Sequence, residues 1–261
     1  MKRRSLLTAL VLGAATLTLS TASHADALEN IIKTKTLRVA VPQDFPPFGS
    51  VGNDLKPVGY DIDMAKLIGQ ELGVIVEIVP VTSANRIPYL TTKKVDLVIS
   101  SLGKNPEREK VIDFSDAYAP FFNGVFGASS QKIGKAEDLA GKVVGVTRGA
   151  IEDLELTRIA PASTIIKRFE DNNTTISAYL SGQVPLIATG NVVAASISEK
   201  QPGKKLEVKF LIKNSPCSIG LNKNEDKLRE RVNAIVAKAK KDGSLNRIAD
   251  KWLKAPLPAD L

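Results

Sequence analysis

Four short stretches of this chain gather hydroxyls, glycines and charges directly behind apolar, strand-like runs. They are Gln43-Asp44-Phe45-Pro46-Pro47-Phe48, the segment from Ser100 to Arg108, Thr147-Arg148-Gly149-Ala150-Ile151-Glu152, and Thr189-Gly190-Asn191. In open α/β sheets a ligand sits beyond the carboxyl ends of the strands. Helical patterns begin just after the second, third and fourth stretches, so free backbone N–H groups should converge on the same space. Hydroxyls, glycine amides, cations and one acid, met there by helix N-termini, suit a small ligand that carries an anionic group.

The remaining inventory excludes much. There is one histidine, His24, and one cysteine, Cys217. His24 falls in a segment read below as removed, so Ser-His-Asp, Cys-His and H-E-x-x-H chemistries are out. A lone cysteine can form no intramolecular disulfide and no cysteine-based zinc site. G-x-G-x-x-G, G-x-x-x-x-G-K-[ST], G-x-S-x-G and calcium-spaced aspartate loops are all missing. Catalysis would fall to carboxylates, lysines or hydroxyls, and no metal or cofactor is expected.

The elements that must position these groups alternate as βαβ units do. Strands are expected at 37–41, 74–79 and 95–99, with helices at 61–72 and 84–92. In 61–72, Met64, Leu67, Ile68 and Leu72 share one face; Asp61 is expected as its cap and Gly73 as its end. Pro88 should tighten or bend the second helix, and Pro106 should open a short third one. A second cycle follows: strands 142–146, 163–169 and 184–188, helices 149–159, 172–181 and 191–200. Strands 206–212 and 217–221 and two amphipathic helices, 226–240 and 244–253, close the chain, with Trp252 expected as a core anchor. Phe121–Gly127 and Ser215–Leu221 differ from the rest: both are strand-like, both carry glycine, and they fall where one cycle yields to the next. They are read as two crossovers between two lobes. The expected fold is α/β, with lobe 1 at 26–123 and 220–261 and lobe 2 at 124–219.

Met1-Lys-Arg-Arg followed by an apolar run from Leu6 to Leu19 has the form of a signal peptide, and Ser23-His24-Ala25 supplies small residues for cleavage after Ala25. The run is shorter than the ~20 residues that span a bilayer. No cysteine follows it for lipid attachment, so a soluble, exported, periplasmic product is expected. Removing Lys2, Arg3 and Arg4 lowers the formal charge from +8 to +5. The remaining cations are scattered and only 5% of residues are aromatic, which argues against a nucleic-acid partner.

The run Gly59-Tyr-Asp-Ile-Asp-Met-Ala-Lys-Leu-Ile-Gly-Gln-Glu-Leu72 resembles the signature of the periplasmic solute-binding proteins of ABC importers, polar amino-acid branch. Val95-Asp96 before Ser100-Ser101 with Arg108, then Asp113-Phe114-Ser115 with Tyr118, and Gly145-Val146 ahead of Gly149 are similar to later motifs of that family, in order. The resemblance covers roughly residues 37 to 253. It implies a two-lobed, type II periplasmic binding-protein fold that closes on its ligand about two hinge crossovers. Carried over, it makes Arg108 the clamp on an α-carboxylate, helped by Ser101 and the backbone of Gly103. Phe45 stands where an aromatic ring touches the ligand, and the loop from Gly149 to Glu152 approaches from the other lobe. Two positions depart from the pattern. Gly190 stands where an ammonium-binding aspartate is usual, and Ile151 replaces a threonine. Glu152 or its neighbour Asp153 is expected to replace the missing acid, with Asp44 a weaker source.

These implications lead to a non-enzymatic, monomeric receptor that captures a polar amino acid and delivers it to a membrane permease. The rivals are a cyclohexadienyl or arogenate dehydratase on the same scaffold, with Glu152 as general acid, and a ligand-loaded sensor. Arg86, Lys104 and Arg148 are expected as solvated or lobe-bridging cations; several of them in the cleft would mean a ligand with a second acidic or polar group. Phe48 and Cys217 are expected to be core, and Asp61 and Asp63 a helix cap and a dipole partner rather than ligand contacts.

Overall fold

The computed structural model describes residues 26–261, so the leader expected at residues 1–25 lies outside the described residues. The described chain starts with helix α1 (Ala27–Thr34), strand β1 (Thr36–Pro42), a small ribbon of β2 (Ser50–Val51) and β3 (Pro57–Val58), helix α2 (Tyr60–Leu72) and strand β4 (Ile75–Val81). It continues through α3 (Arg86–Thr91), β5 (Leu97–Val98), α4 (Pro106–Val111) and β6 (Ile112–Ala119). A second body holds β7 (Phe122–Gly127), β8 (Val143–Thr147), α5 (Ile151–Ile159), β9 (Ile165–Phe169), α6 (Asn172–Leu180), β10 (Leu186–Gly190), α7 (Asn191–Lys200) and β11 (Glu207–Asn214). The chain then returns with β12 (Cys217–Asn222), α8 (Asp226–Lys241) and α9 (Ser244–Leu253).

The two larger sheets repeat one plan. The first runs β4-β1-β5-β12-β6 and the second β9-β8-β10-β7-β11. In each, three parallel strands are followed by an antiparallel strand that has just arrived from the other lobe. The passage between sheets lies between Ala119 and Phe122 and again between Asn214 and Cys217. Both points fall a few residues earlier than the expected lobe limits at 123/124 and 219/220, because the crossover segments themselves pair at once with the sheet they join.

Parallel strands covered on both faces must be apolar on both faces. In β1, Leu37, Val39 and Val41 join a core under α2, α8 and α9 with Met64, Ile68, Val232 and Leu245. Ala40, on the opposite face, packs with Leu90, Val98 and Ile112. Trp252 packs at the margin of the first of these clusters and donates from Nε1 to Asp63 at 2.7 Å, tying α9 to α2.

Several local expectations change. α1, capped by Asp26 at 2.9 Å to the Leu28 N–H, has no counterpart in the sequence reading. Pro88 bends nothing: a short 3₁₀ turn at Ser83–Asn85 precedes α3, which places Pro88 in the first helical turn, where a missing N–H is harmless. The expected strand 184–188 lies two residues later as β10, since Pro185 cannot donate to the ladder. Asp61 does not cap α2. The capping position is Gly59, at φ +144°, where a Cβ would overlap the Phe48 carbonyl. Asp61 is turned inward and is fully buried.

Candidate functional site

The loop behind β5 carries the first cluster. Ser101 sits at φ +41°, a left-handed conformation a serine adopts only against a cost of ~1–3 kcal/mol. Asp61 is what holds it there: its Oδ2 accepts the Ser101 N–H at 2.7 Å, and its Oδ1 accepts the Tyr118 hydroxyl at 2.6 Å. Tyr118 is one residue from the end of β6 and so beside the first crossover. One buried carboxyl therefore joins α2, the Ser101 loop and the hinge. Burial raises Asp61 to about 7, with the Tyr118 and Ser101 bonds opposing.

Arg108 lies in α4, whose cap Asn105 accepts the Arg108 N–H at 2.9 Å. Its guanidinium is 5% exposed. Nη1 donates to the Gly103 carbonyl at 2.9 Å and Nη2 to the Gly149 carbonyl, in the opposite lobe, at 3.0 Å. These contacts occupy two of its five N–H donors. Burial, then the neighbouring charge of Arg86, lowers Arg108 to about 10, so it stays charged at neutral pH. Gly103 meets Arg108 through its carbonyl, and a Cβ there would overlap the Ser215 hydroxyl at the second crossover.

The second lobe presents the start of α5. Gly149 (φ +72°) turns the chain so closely against lobe 1 that a Cβ would lie 3.1 Å from Ala84 Cα. Ala150 supplies no side-chain cap, so the N–H of Ile151, a residue that lines the interlobe cavity, opens α5 uncapped. Glu152 is 4% exposed. Burial pushes its carboxyl up to about 7, against its own backbone N–H and the charges of Arg86 and Arg108. Asp153 is corrected as a candidate: Oδ2 accepts the Gly149 N–H at 3.0 Å and Oδ1 the Arg168 Nε at 2.8 Å, so it braces the turn rather than facing a ligand.

A narrow cavity of about 10 Å³ lies between these walls, lined by Phe45, Ser83, Arg86, Ser101, Phe121, Ala150, Ile151, Glu152 and Asn172. Such a volume accommodates about one water. Larger hollows lie elsewhere: one of about 610 Å³ is bordered by Asp26, Lys93 and Asn222 on lobe 1, one of about 360 Å³ lies between Glu107 of lobe 1 and Arg158 and Lys213 of lobe 2, and one of about 210 Å³ lies against α6 and α7. Buried charges of both signs converge only at the interlobe cavity among the described residues.

Of the expected site residues, Phe45, Ser101, Ile151 and Glu152 line that cavity directly. Asp44 is not among the lining residues: its Oδ2 accepts the backbone and side-chain N–H groups of Asn172 at 2.6 and 3.2 Å, bridging the lobes at the start of α6, and its Oδ1 is buried without a partner. Lys213 makes a further bridge, donating to the Lys104 carbonyl at 2.7 Å. Gly190 is screened from the cavity. A Cβ built on it would overlap the Phe121 ring, and Phe121 packs with Phe45 and Phe48 at centroid distances of 6.1 and 5.4 Å. An aspartate at 190 and this placement of Phe121 exclude each other. Arg148 pairs with Glu170 on the surface. Arg86, expected as a solvated or lobe-bridging cation, is instead 5% exposed and lines the cavity. Its place at the start of an amphipathic helix was legible; its inward direction was not, because the 3₁₀ turn before it rotates the helix face. Phe121, Ser83 and Asn172 join the lining without having been anticipated.

Residues 37–255 match the family model of bacterial extracellular solute-binding proteins, family 3. The L-cystine-binding protein TcyJ of Escherichia coli (strain K12) is 27% identical, over 91% of this chain and 90% of that protein. The solved structure of an ancestral arginine-binding protein bound to arginine has a TM-score of 0.78 at 34% identity, covering 84% of this chain and 98% of its own. That of the ancestral amino acid-binding protein AncCDT-1, a precursor of cyclohexadienyl dehydratase, has a TM-score of 0.77 at 32% identity, covering 87% and 99%. With two like-built lobes joined by two crossovers and a family match along nearly the whole described length, the chain belongs to the bacterial extracellular solute-binding proteins, family 3.

Proposed function

We propose that this protein captures a polar amino acid between its lobes in the periplasm and delivers it to the membrane permease of an ABC importer. The observation that carries the reading is the pairing across the cleft. A buried guanidinium, Arg108, reaches from one lobe to the Gly149 carbonyl of the other, and a buried carboxyl, Glu152, stands on the opposite wall. A zwitterion complements that arrangement. Its carboxylate takes the free donors of Arg108, and its ammonium takes Glu152, which supplies the acid that Gly190 lacks. Ser101 and the uncapped N–H of Ile151 offer further polar contacts, and Phe45 an apolar wall. Charge-assisted bonds of this type contribute ~1.5–3 kcal/mol each.

A cavity of about 10 Å³ does not admit an amino acid, so loading requires the lobes to part about the crossovers at 120–121 and 215–216. Closure on the ligand then excludes water and strengthens the charged contacts, and the ligand acts by favouring the closed arrangement over the open one. The test is a thermal-shift screen over the amino acids followed by X-ray scattering. A ligand at ~100 times its Kd should add roughly 2.7 kcal/mol of stability, and its addition should shrink the radius of gyration of the ligand-free protein. No stabilisation by any amino acid would overturn the reading.

One observation favours a second reading. A buried carboxyl held near 7, as Glu152 is, is suited to general acid catalysis, and one similar structure is that of a precursor of cyclohexadienyl dehydratase. Incubation with prephenate or arogenate separates the two. No product is expected, because no second catalytic group flanks Glu152.

A further inference from the structure

The guanidinium of Arg86 has no role in the contacts assigned above. It is 5% exposed, lines the interlobe cavity beside Ser83 and Ser101, and its Nε has no hydrogen-bond partner among the described residues. Three carboxyls surround it electrostatically, those of Asp44, Glu152 and Asp61, yet none bonds to it. Asp61 is committed to Ser101 and Tyr118. Asp44 bonds Asn172 through Oδ2, and its Oδ1 is buried without a partner, so it balances part of the Arg86 charge without bonding it. Glu152 faces the cleft from the other lobe. A buried cation with an idle donor is costly unless something supplies the missing acceptor.

We propose that Arg86 is a second anion-binding site in the cleft, so that the captured amino acid carries an acidic side chain whose distal carboxylate is taken by Arg86, with the hydroxyls of Ser83 and Ser101 beside it. This rests on the amino-acid reading above and narrows it to the dicarboxylic class. Arg86 and Glu152 on the lining, with Arg108 buried behind Gly103 and Gly149, complement a ligand of two carboxylates and one ammonium. A neutral side chain would leave Arg86 buried and unpaired. A basic one would meet two like charges, a repulsion that selects against it.

The experiment is calorimetric titration of the full mature chain with L-aspartate and L-glutamate against L-asparagine and L-glutamine. At least one acid should bind about tenfold or more tightly than its amide, as expected for one charge-assisted contact. Arg86→Met should abolish that preference; circular dichroism checks that the variant remains folded, since Asp44, Asp61 and Glu152 lose a neighbouring cation. Equal or tighter binding of the amides, or undiminished binding of the acid by Arg86→Met, would overturn the assignment and leave the amino-acid reading intact. Succinate provides the converse control. Binding as tight as that of L-aspartate would uphold the Arg86 site and overturn the amino-acid reading, because succinate has two carboxylates and no ammonium.

Discussion

The two walls of the cleft are built on the same strand order but present opposite chemistry. The lobe 1 wall is made of side chains and presents two cations: Arg86 and Arg108 are buried on α3 and α4, with Asn105 capping the turn that carries Arg108 and Asp61 holding the neighbouring Ser101 loop. The lobe 2 wall is made mainly of backbone. It offers the Gly149 carbonyl, the uncapped start of α5 and one carboxyl, Glu152. Arg86 is balanced partly by Asp44 and Asp61 of its own lobe and partly by Glu152 across the gap, whereas Arg108 meets its carboxyls only across it. When the lobes part, water solvates each wall; when they close, each charge loses that water and needs the other wall or a ligand. The difference teaches that selectivity and closure are one problem here, since the groups that recognise a ligand are those that are costly to bury without one.

The sharpest way to break this contrast is to remove the cation that touches both walls. Arg108→Ala should weaken binding of the preferred amino acid by roughly 10- to 100-fold, the value of one or two charge-assisted bonds, as read by calorimetry. A near-wild-type Kd would mean that the lobe 1 wall does not grip the ligand through this residue.

Making the walls more alike should fail for a packing reason. Gly190→Asp restores an acid at the end of β10, but its Cβ falls inside the Phe121 ring. It should lower stability by ~2–3 kcal/mol through overpacking and a buried charge, read by chemical denaturation, and should not improve binding. The double change with Phe121→Ala should recover much of the loss. If Gly190→Asp alone were neutral, the Phe121 ring would not occupy the space beside position 190.

The smallest expected effect is the most diagnostic for the lobe 2 wall. Burial raises Glu152 from 4.5 to about 7. Its ionised form is the one that pairs with an ammonium, so affinity should increase as pH rises through about 7, and Glu152→Gln should flatten that profile while weakening binding. Stability of the ligand-free protein should run the other way. Between the ordinary carboxylate value and about 7, the folded state holds a proton that the unfolded chain has released, so this contribution is intact at low pH and is lost as pH rises. Asp61, also raised to about 7, adds the same sign. Melting curves from pH 4.5 to 8 should show a slope that Glu152→Gln and Asp61→Asn each reduce; an unchanged slope in both would contradict these environments.

Much of the fold was legible in the residues themselves. Periodicity located α2, α8 and α9, glycine and proline punctuated most ends, and two strand-like, glycine-bearing segments marked the crossovers. Four expected contacts, Phe45, Ser101, Ile151 and Glu152, line the cavity. They were readable because loops behind parallel strands are held in one place by the sheet whatever their own conformation. Asp44 and Asp153 misled because an acid in a loop shows its charge in the sequence but not its partner. One is consumed by the start of α6 in the other lobe, the other by Gly149 and Arg168.

What the sequence by itself determined, then, is the alternation of elements, the absence of histidine after residue 24 and of any intramolecular disulfide, and a set of anion-seeking loops at the right strand ends. Only the tertiary structure decided that Arg86 points inward with an idle donor, that Phe121 occupies the space an acid at 190 would need, and that Asp61 holds the Ser101 loop to the hinge strand. The physical reason is common to all three. Local pattern sets which face of an element is apolar, but whether a charged or bulky side chain at the edge of that face is buried depends on elements that arrive from far along the chain, and here from the other lobe.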